Sequence, residues 1–217
     1  MRLAAELAVA VIALGLFGVG EGSAATLTIG LDTEFSGADD PAGTSPWITA
    51  TFDDSFGGAN TVRLTMSANN LVDVEFIDDW LFNFDPSLDP TMLSISYVSG
   101  QSANNVNTGV NAYQADGDGK FDIEFDFPPP PGSFPGKFTT GELSVYDITY
   151  IAAIDVSSFD FQSVEGGGNG TFSSAAHILG IGPGASGGGW IGPIPEPASG
   201  LLVGAGLIVL GMRRRGR

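Results

Sequence analysis

The sequence predicts an all-β protein, an antiparallel β-sandwich of about nine strands. Apolar and polar residues alternate along much of the chain with a period of two rather than 3.6, which is typical of half-buried strands. Glycine, proline, asparagine and aspartate separate these stretches, and no stretch has the pattern of a long amphipathic helix. A chain of 217 residues is long enough for one domain with a substantial core.

The clearest strand is residues 120–127, KFDIEFDF, in which four apolar residues share one face and the polar residues between them share the other. The buried face would hold Phe121, Ile123, Phe125 and Phe127. Eight further strands are predicted at residues 26–31, 47–52, 61–66, 72–84, 92–98, 143–151, 159–164 and 175–181. In the strand at 72–84, the inward residues Phe76 and Trp80 stay in phase across Asp78 and Asp79. A short helical turn capped by Asp155 is also predicted.

The composition excludes several kinds of protein. The chain has no cysteine, so it has neither a disulfide framework nor a thiol nucleophile. Its formal net charge is −17, and all but three of the 25 acidic residues lie between Thr26 and Pro195. The basic residues there are Arg63, Lys120 and Lys137. A body so acidic repels phosphate backbones, so we expect no binding to nucleic acid.

The N-terminal residues 1–25 have the layout of a secretory signal peptide. Arg2 precedes an apolar stretch at 7–19, and the small residues at 23–25 predict cleavage after Ala25. The alternative is an uncleaved membrane anchor, but the apolar stretch is shorter than the roughly 20 residues that span a bilayer. The predicted sandwich domain therefore begins at residue 26 and ends at residue 182.

The C-terminal part begins with a Gly-rich stretch at 183–194, which is predicted to be a flexible linker. An apolar stretch follows at 198–212, and as a helix it would reach about 22 Å, short of the roughly 30 Å of a bilayer's hydrocarbon core. The arginine-rich tail at 213–217 would stay on the cytoplasmic side while the body lies outside. We therefore expect a transient membrane attachment through this short helix.

The order of these parts resembles the PEP-CTERM sorting signal of bacterial exported proteins. Pro195, Glu196 and Pro197 stand before the apolar stretch, and the basic cluster stands after it. The resemblance implies an exosortase as the processing enzyme, with the three residues as its recognition triplet. It also implies a final location at the cell envelope, at the outer surface or outside the cell, in a setting rich in exopolysaccharide and biofilm matrix. The basic residues that carry the resemblance are Arg213, Arg214 and Arg215.

The stretch DGDGKFDIEFD is a candidate calcium site. Asp116, Asp118 and Asp122 supply carboxylate oxygens close to flexible glycines, and Ca²⁺ prefers oxygen ligands. The stretch does not fit an EF-hand, since Lys120 and Phe121 occupy the positions of a ligand and of the turn glycine. A tight hairpin explains the same glycines equally well.

The function expected from the sequence is a structural or binding role at the cell surface or in the matrix, linked to exopolysaccharide and without catalysis. Two alternatives stay open: a secreted glycoside hydrolase with paired carboxylates, and a calcium-dependent glycan-binding module. The lone His177 makes a zinc site unusual, since carboxylates would supply the other ligands. Tryptophans at 47, 80 and 190 are candidates for stacking on sugars. Carboxylates for a hydrolase would come from Asp73, Glu75, Asp122, Glu124 and Asp126.

Overall fold

A computed structural model describes residues 24–127, 136–168 and 170–194 of the chain. Within these ranges the chain forms twelve strands and two short 3₁₀ helices, Pro90–Met92 and Val156–Phe159. The strands are β1 (Thr26–Leu31), β2 (Thr33–Glu34), β3 (Ile48–Asp53), β4 (Thr61–Ser67), β5 (Phe76–Phe82), β6 (Ser94–Gly100), β7 (Asn105–Ala115), β8 (Asp118–Asp126), β9 (Phe138–Thr139), β10 (Leu143–Thr149), β11 (Ser174–Ile181) and β12 (Gly187–Gly192).

The strands form two antiparallel sheets. The five-stranded sheet has the order β1-β3-β4-β10-β6, and the seven-stranded sheet has the order β2-β12-β11-β5-β8-β7, with β9 also paired to β5. Both sheets contribute to one hydrophobic core, for example through Phe52 and Leu64 on one side and Trp80 and Phe125 on the other. The all-β antiparallel sandwich predicted from the sequence is confirmed.

The strand count is wrong, because the described residues hold twelve strands rather than nine. The largest omission is β7, whose sequence NVNTGVNAYQA has three Asn, a residue that is depleted in strands, and few large apolar residues. Its pairing with β8 is interrupted between Thr108 and Tyr113, and Asn111 has a φ of 49° there. The strands β2 and β9 have two residues each, too few for any periodicity.

The predicted linker at 183–194 is also wrong in part. Residues 187–192 form β12, which pairs with both β11 and β2, so the sandwich continues past residue 182. A Cβ at Gly188 would lie 2.5 Å from Leu179, and one at Gly189 would lie 2.9 Å from Ala38. The glycines therefore permit close packing within the sheet, whereas the sequence suggests flexibility.

Two other local expectations have different outcomes. Asp155 caps the 3₁₀ helix that follows it and accepts the N–H of Ser157, as predicted. The strand predicted at 159–164 is not formed, and Val164 makes only a single bridge to Lys120. The four apolar residues of 120–127 are fully buried as predicted, although Phe121 packs in a second, smaller cluster on the other face of the seven-stranded sheet.

The predicted signal segment and the sorting segment lie outside the described residues, except for residues 24 and 25. The same holds for the apolar stretch at 198–212 and for the arginine tail. In the part of the chain that the structure describes, no helix has the length and apolarity needed to cross a membrane.

Candidate functional site

The candidate site is built around an irregularity in β5, on the face of the seven-stranded sheet that points away from the core. Asp79 pairs with His177 of β11, but the next pair is Ile77 with Ile178, so Asp78 is an extra residue. Such a β-bulge rotates the side chain of the extra residue and re-aims it. Because of the bulge, two consecutive aspartates lie beside one histidine, and ligand atoms of all three are within 4.8 Å of one another.

Because of the bulge, the residues of β5 that face the core differ from those predicted. Ile77 and Trp80 both point into the core, three positions apart, whereas regular alternation would put them on opposite faces. Phe76 lies outside the main core and contacts the ammonium group of Lys137, 3.9 Å from the ring centre. The inward position predicted for Phe76 from a single phase across the two aspartates is therefore wrong.

Strand pairing aligns polar and aromatic side chains across five strands. The registers of β12, β11, β5, β8 and β7 bring one residue from each strand into a line perpendicular to the strands. We call this line the outer row. Its members, in order, are Trp190, His177, Asp79, Asp126 and Asn105.

The aromatic end of the outer row is a stacked pair. The rings of His177 and Trp190 lie 4.9 Å apart between centroids and 16° from parallel. A Cβ at Gly188 would lie 3.4 Å from Nε2 of His177, so that nitrogen faces the glycine strand. Nδ1 faces the carboxylates instead, 3.3 Å from Oδ2 of Asp78. The stack therefore fixes the plane of the ring, and in the orientation present Nδ1 is the nitrogen near the acids.

Two acidic residues of β8, Glu124 and Asp126, have side-chain amide partners on β7. Asn105 donates to Asp126 at 2.8 Å, and Asn107 donates to Glu124 at 2.9 Å. Each amide stands directly across the strand pair from its carboxylate. These two carboxylates are thus on the solvent side of the strand, as the sequence predicts, and each has a neutral donor.

Asp79 is in a different situation. Among the described residues, no hydrogen-bond donor contacts its carboxylate. Partial burial, together with the nearby charges of Asp78, Glu124 and Asp126, raises the pKa of Asp79 to about 6, while His177 opposes the shift. The centre of the outer row therefore holds converging carboxylates with one basic group among them.

The residues predicted to bind calcium are not brought together in this way. Asp116 is exposed in the β7–β8 turn, while Asp118 is buried. Asp122 accepts the backbone N–H of Phe84 at 3.1 Å through one oxygen and that of Asn111 at 2.8 Å through the other. The calcium site stays a prediction, and these positions give it no support.

The carboxylates proposed for a hydrolase are also dispersed. Glu75 is buried and accepts the N–H groups of Ala42 and Val72, at 2.8 and 2.9 Å. Asp73 occupies an exposed turn with a φ of 53°. Of the candidate carboxylates named from the sequence, Asp126 belongs to the outer row and Glu124 lies beside it.

Two of the three tryptophans are buried, and one lies on the outer face of the seven-stranded sheet. Trp47 and Trp80 are buried, and their indole N–H groups donate to the carbonyl of Gly43 and to the hydroxyl of Ser174, both at 2.9 Å. Trp190 is half-buried and lies on the outer face. One tryptophan of the three is thus placed to contact a ligand.

An acidic cleft of about 760 Å³ lies next to the start of β1. Each of its three aspartates is already an acceptor: Asp54 for the N–H of Ala25 at 2.6 Å, Asp85 for Ser87, and Asp155 for Ser157. Ala25 itself is exposed just before β1, and cleavage after it stays a prediction.

The sequence analysis missed the group formed by Asp78, Asp79 and His177. Two signals were present: the chain's single histidine, and an Asp-Asp pair inside an otherwise apolar strand. The spacing of three between Ile77 and Trp80 indicates a bulge, but only if the strand's inward face is already known. The long-range pairing of residue 79 with residue 177 is not encoded in any local pattern.

A comparison with family models finds the PEP-CTERM protein-sorting motif at residues 193–215. No curated protein and no solved structure matches the chain. The match lies at the C-terminal position expected for this sorting signal, and it covers the triplet at 195–197 and the cluster at 213–215. Such a motif indicates an exported protein whose processing partner is an exosortase. The chain therefore carries a PEP-CTERM protein-sorting motif at its C-terminal end.

Proposed function

We propose that the chain is a non-catalytic component of the cell surface or extracellular matrix that binds exopolysaccharide along the outer row. The observation that carries the proposal is the alignment of an aromatic pair, carboxylates and an amide across five neighbouring strands. Sugars are bound by aromatic rings that stack on their C–H faces and by planar polar groups that bond their hydroxyls. The outer row offers both on one open surface.

The charge of this surface narrows the ligand class. Asp78, Asp79, Glu124 and Asp126 lie close together, so polymers rich in uronate or phosphate would be repelled. We expect an uncharged polysaccharide, whose hydroxyl groups can donate to the carboxylates. The expected absence of nucleic-acid binding follows from the same charge.

A glycoside hydrolase remains the second candidate, because the same carboxylates converge at one place. Hydrolysis needs one carboxyl group on each side of the scissile bond, with a separation of about 5 to 10 Å. The outer row lies on a sheet surface, and this favours binding along a polymer over enclosing one bond. A hydrolase would release new reducing ends from the polymer, whereas a binding protein would not.

The test uses the processed protein and polysaccharide isolated from the cells that produce it. We expect Trp190→Ala to reduce retention of the polymer by about fivefold or more, since an aromatic contact contributes about 0.5 to 1.5 kcal/mol beyond its buried area. Tyr97→Ala is the matched control, because this half-exposed aromatic residue lies on the other sheet. Equal retention by both variants would contradict the proposal. New reducing ends that disappear in Asp79→Asn would establish the hydrolase instead.

A further inference from the structure

We propose that Asp78, Asp79 and His177 form a binding site for one divalent cation of the zinc type. The inference does not rest on the proposed polysaccharide binding, since the three side chains belong to one molecule and need no polymer to come together. It concerns the two aspartates side by side in the bulge of β5 and the imidazole opposite them on β11.

The spacing of the donor atoms suits two ligands of one metal ion. Nδ1 of His177 and Oδ2 of Asp78 are 3.3 Å apart, longer than the roughly 2.7–2.9 Å of a strong charge-assisted hydrogen bond. Two ligands that each lie about 2.0–2.1 Å from a tetrahedral Zn²⁺ are separated by about 3.3 Å. One ligand atom from each of Asp78, Asp79 and His177 lies within 4.8 Å of the other two, so small side-chain rotations would complete a three-ligand set.

The second argument is the fixed orientation of the imidazole. The stack on Trp190 holds the ring, and Nε2 faces Gly188. Metal-binding histidines are oriented by contacts of the ring and of the second nitrogen, which lower the cost of ordering the ligand. His177 therefore presents Nδ1 to the aspartates from a ring whose plane is already held by Trp190.

The third argument is the local charge. Asp79 has the negative charges of Asp78, Glu124 and Asp126 around it, and His177 is the one basic group that acts on it. Asn105 and Asn107 donate to the two β8 carboxylates, whereas Asp79 has no donor among the described residues. A divalent cation would supply the missing counter-charge and ligate the oxygens that face no donor.

The ligand set selects the class of cation. Imidazole nitrogen together with carboxylate oxygen suits Zn²⁺ and other borderline metals, whereas Ca²⁺ requires six to eight oxygen ligands. Three protein ligands leave at least one coordination position for water or for a group of another molecule. The site is therefore distinct from the calcium site predicted at Asp116, Asp118 and Asp122.

The experiment is a calorimetric titration of the processed protein with ZnCl₂. Bound metals are first removed with a chelator, and no polysaccharide is present. We expect one equivalent to bind. Asp79→Asn and His177→Gln should each weaken binding by about tenfold or more, since each removes a ligand. Asp116→Asn is the matched control: it removes the same charge as Asp79→Asn from an exposed turn, and it should change the affinity by less than about twofold.

Co²⁺ supplies a second measurement, because a tetrahedral site gives intense visible absorption bands that hydrated Co²⁺ lacks. Asp79→Asn decides the test even if His177→Gln fails to fold, since the neutral amide relieves charge repulsion and should not impair folding. Absence of stoichiometric binding in the unmodified protein would overturn the proposal, as would equal affinities of Asp79→Asn and Asp116→Asn. Zinc binding without any retention of polysaccharide would support the cation site while contradicting the proposed function.

Discussion

The outer row and the β7–β8 hairpin are both rich in aspartate, but they use their carboxylates differently. In the hairpin region, both oxygens of Asp122 accept backbone N–H groups, from Phe84 and from Asn111. At the centre of the outer row, Asp79 faces other carboxylates and the pKa of its side chain is raised. Asp122 is used to hold the backbone, whereas Asp79 retains the capacity to bind a ligand.

The density of acidic residues in a sequence therefore does not show which of them bind a cation. The stretch DGDGKFD has three aspartates within seven residues and looks like the stronger cation site. Its third aspartate accepts the N–H of Phe84, which would otherwise be buried without a partner. The aspartates that remain available are a pair in a strand whose neighbours in space are distant in the chain.

The largest expected effect is the loss of stability on replacing Asp122, the aspartate that holds the backbone. We expect Asp122→Ala to lower the free energy of unfolding by about 2 to 4 kcal/mol, because hydrogen bonds to a charged group contribute about 1.5 to 3 kcal/mol and two N–H groups would lose their acceptor. Urea denaturation at neutral pH measures this change. Asp116→Asn is the control and should stay within about 0.5 kcal/mol of the unmodified protein. Comparable losses in the two variants would mean that Asp122 has no special structural role.

A smaller effect on the free energy of unfolding is expected at Asp79 in metal-free protein. Its sign is opposite, because removing the charge of Asp79 stabilises the fold at high pH. The folded-state pKa of Asp79 is about 6, above the 3.8 of the unfolded chain, so the folded protein holds this proton more tightly. The contribution of Asp79 to stability is therefore present below about pH 4 and is lost as the pH rises through 6. The full shift corresponds to about 3 kcal/mol, and solvent screening of this half-exposed group reduces it to about 1 to 2 kcal/mol.

The variant Asp79→Asn isolates that contribution, since its amide stays neutral at every pH. We expect it to be more stable than the unmodified protein by about 1 to 2 kcal/mol at pH 8 and nearly equal to it at pH 4. Thermal unfolding across this range, in the presence of a chelator, measures the difference. A variant that is less stable at pH 8 would show that the ionised carboxylate is stabilised by its surroundings.

Much of the fold can be predicted from periodicity, and little of the site. Strands such as 120–127 are recognisable because apolar and polar residues alternate along them. In contrast, β12 consists mainly of glycine, and its place in the sheet depends on the strands beside it rather than on its own side chains. The outer row depends on registers among five strands and on one bulge, and each register is set by contacts between residues far apart in the chain.

The most direct test of this account is the titration of the Asp79 side-chain carboxyl by NMR in metal-free protein, with Asp116 as the internal reference. The account predicts a pKa of about 6 for Asp79, since burial and its acidic neighbours disfavour the charged form. A value near 4 would contradict it, because that carboxylate would then be neither crowded by charge nor short of a partner.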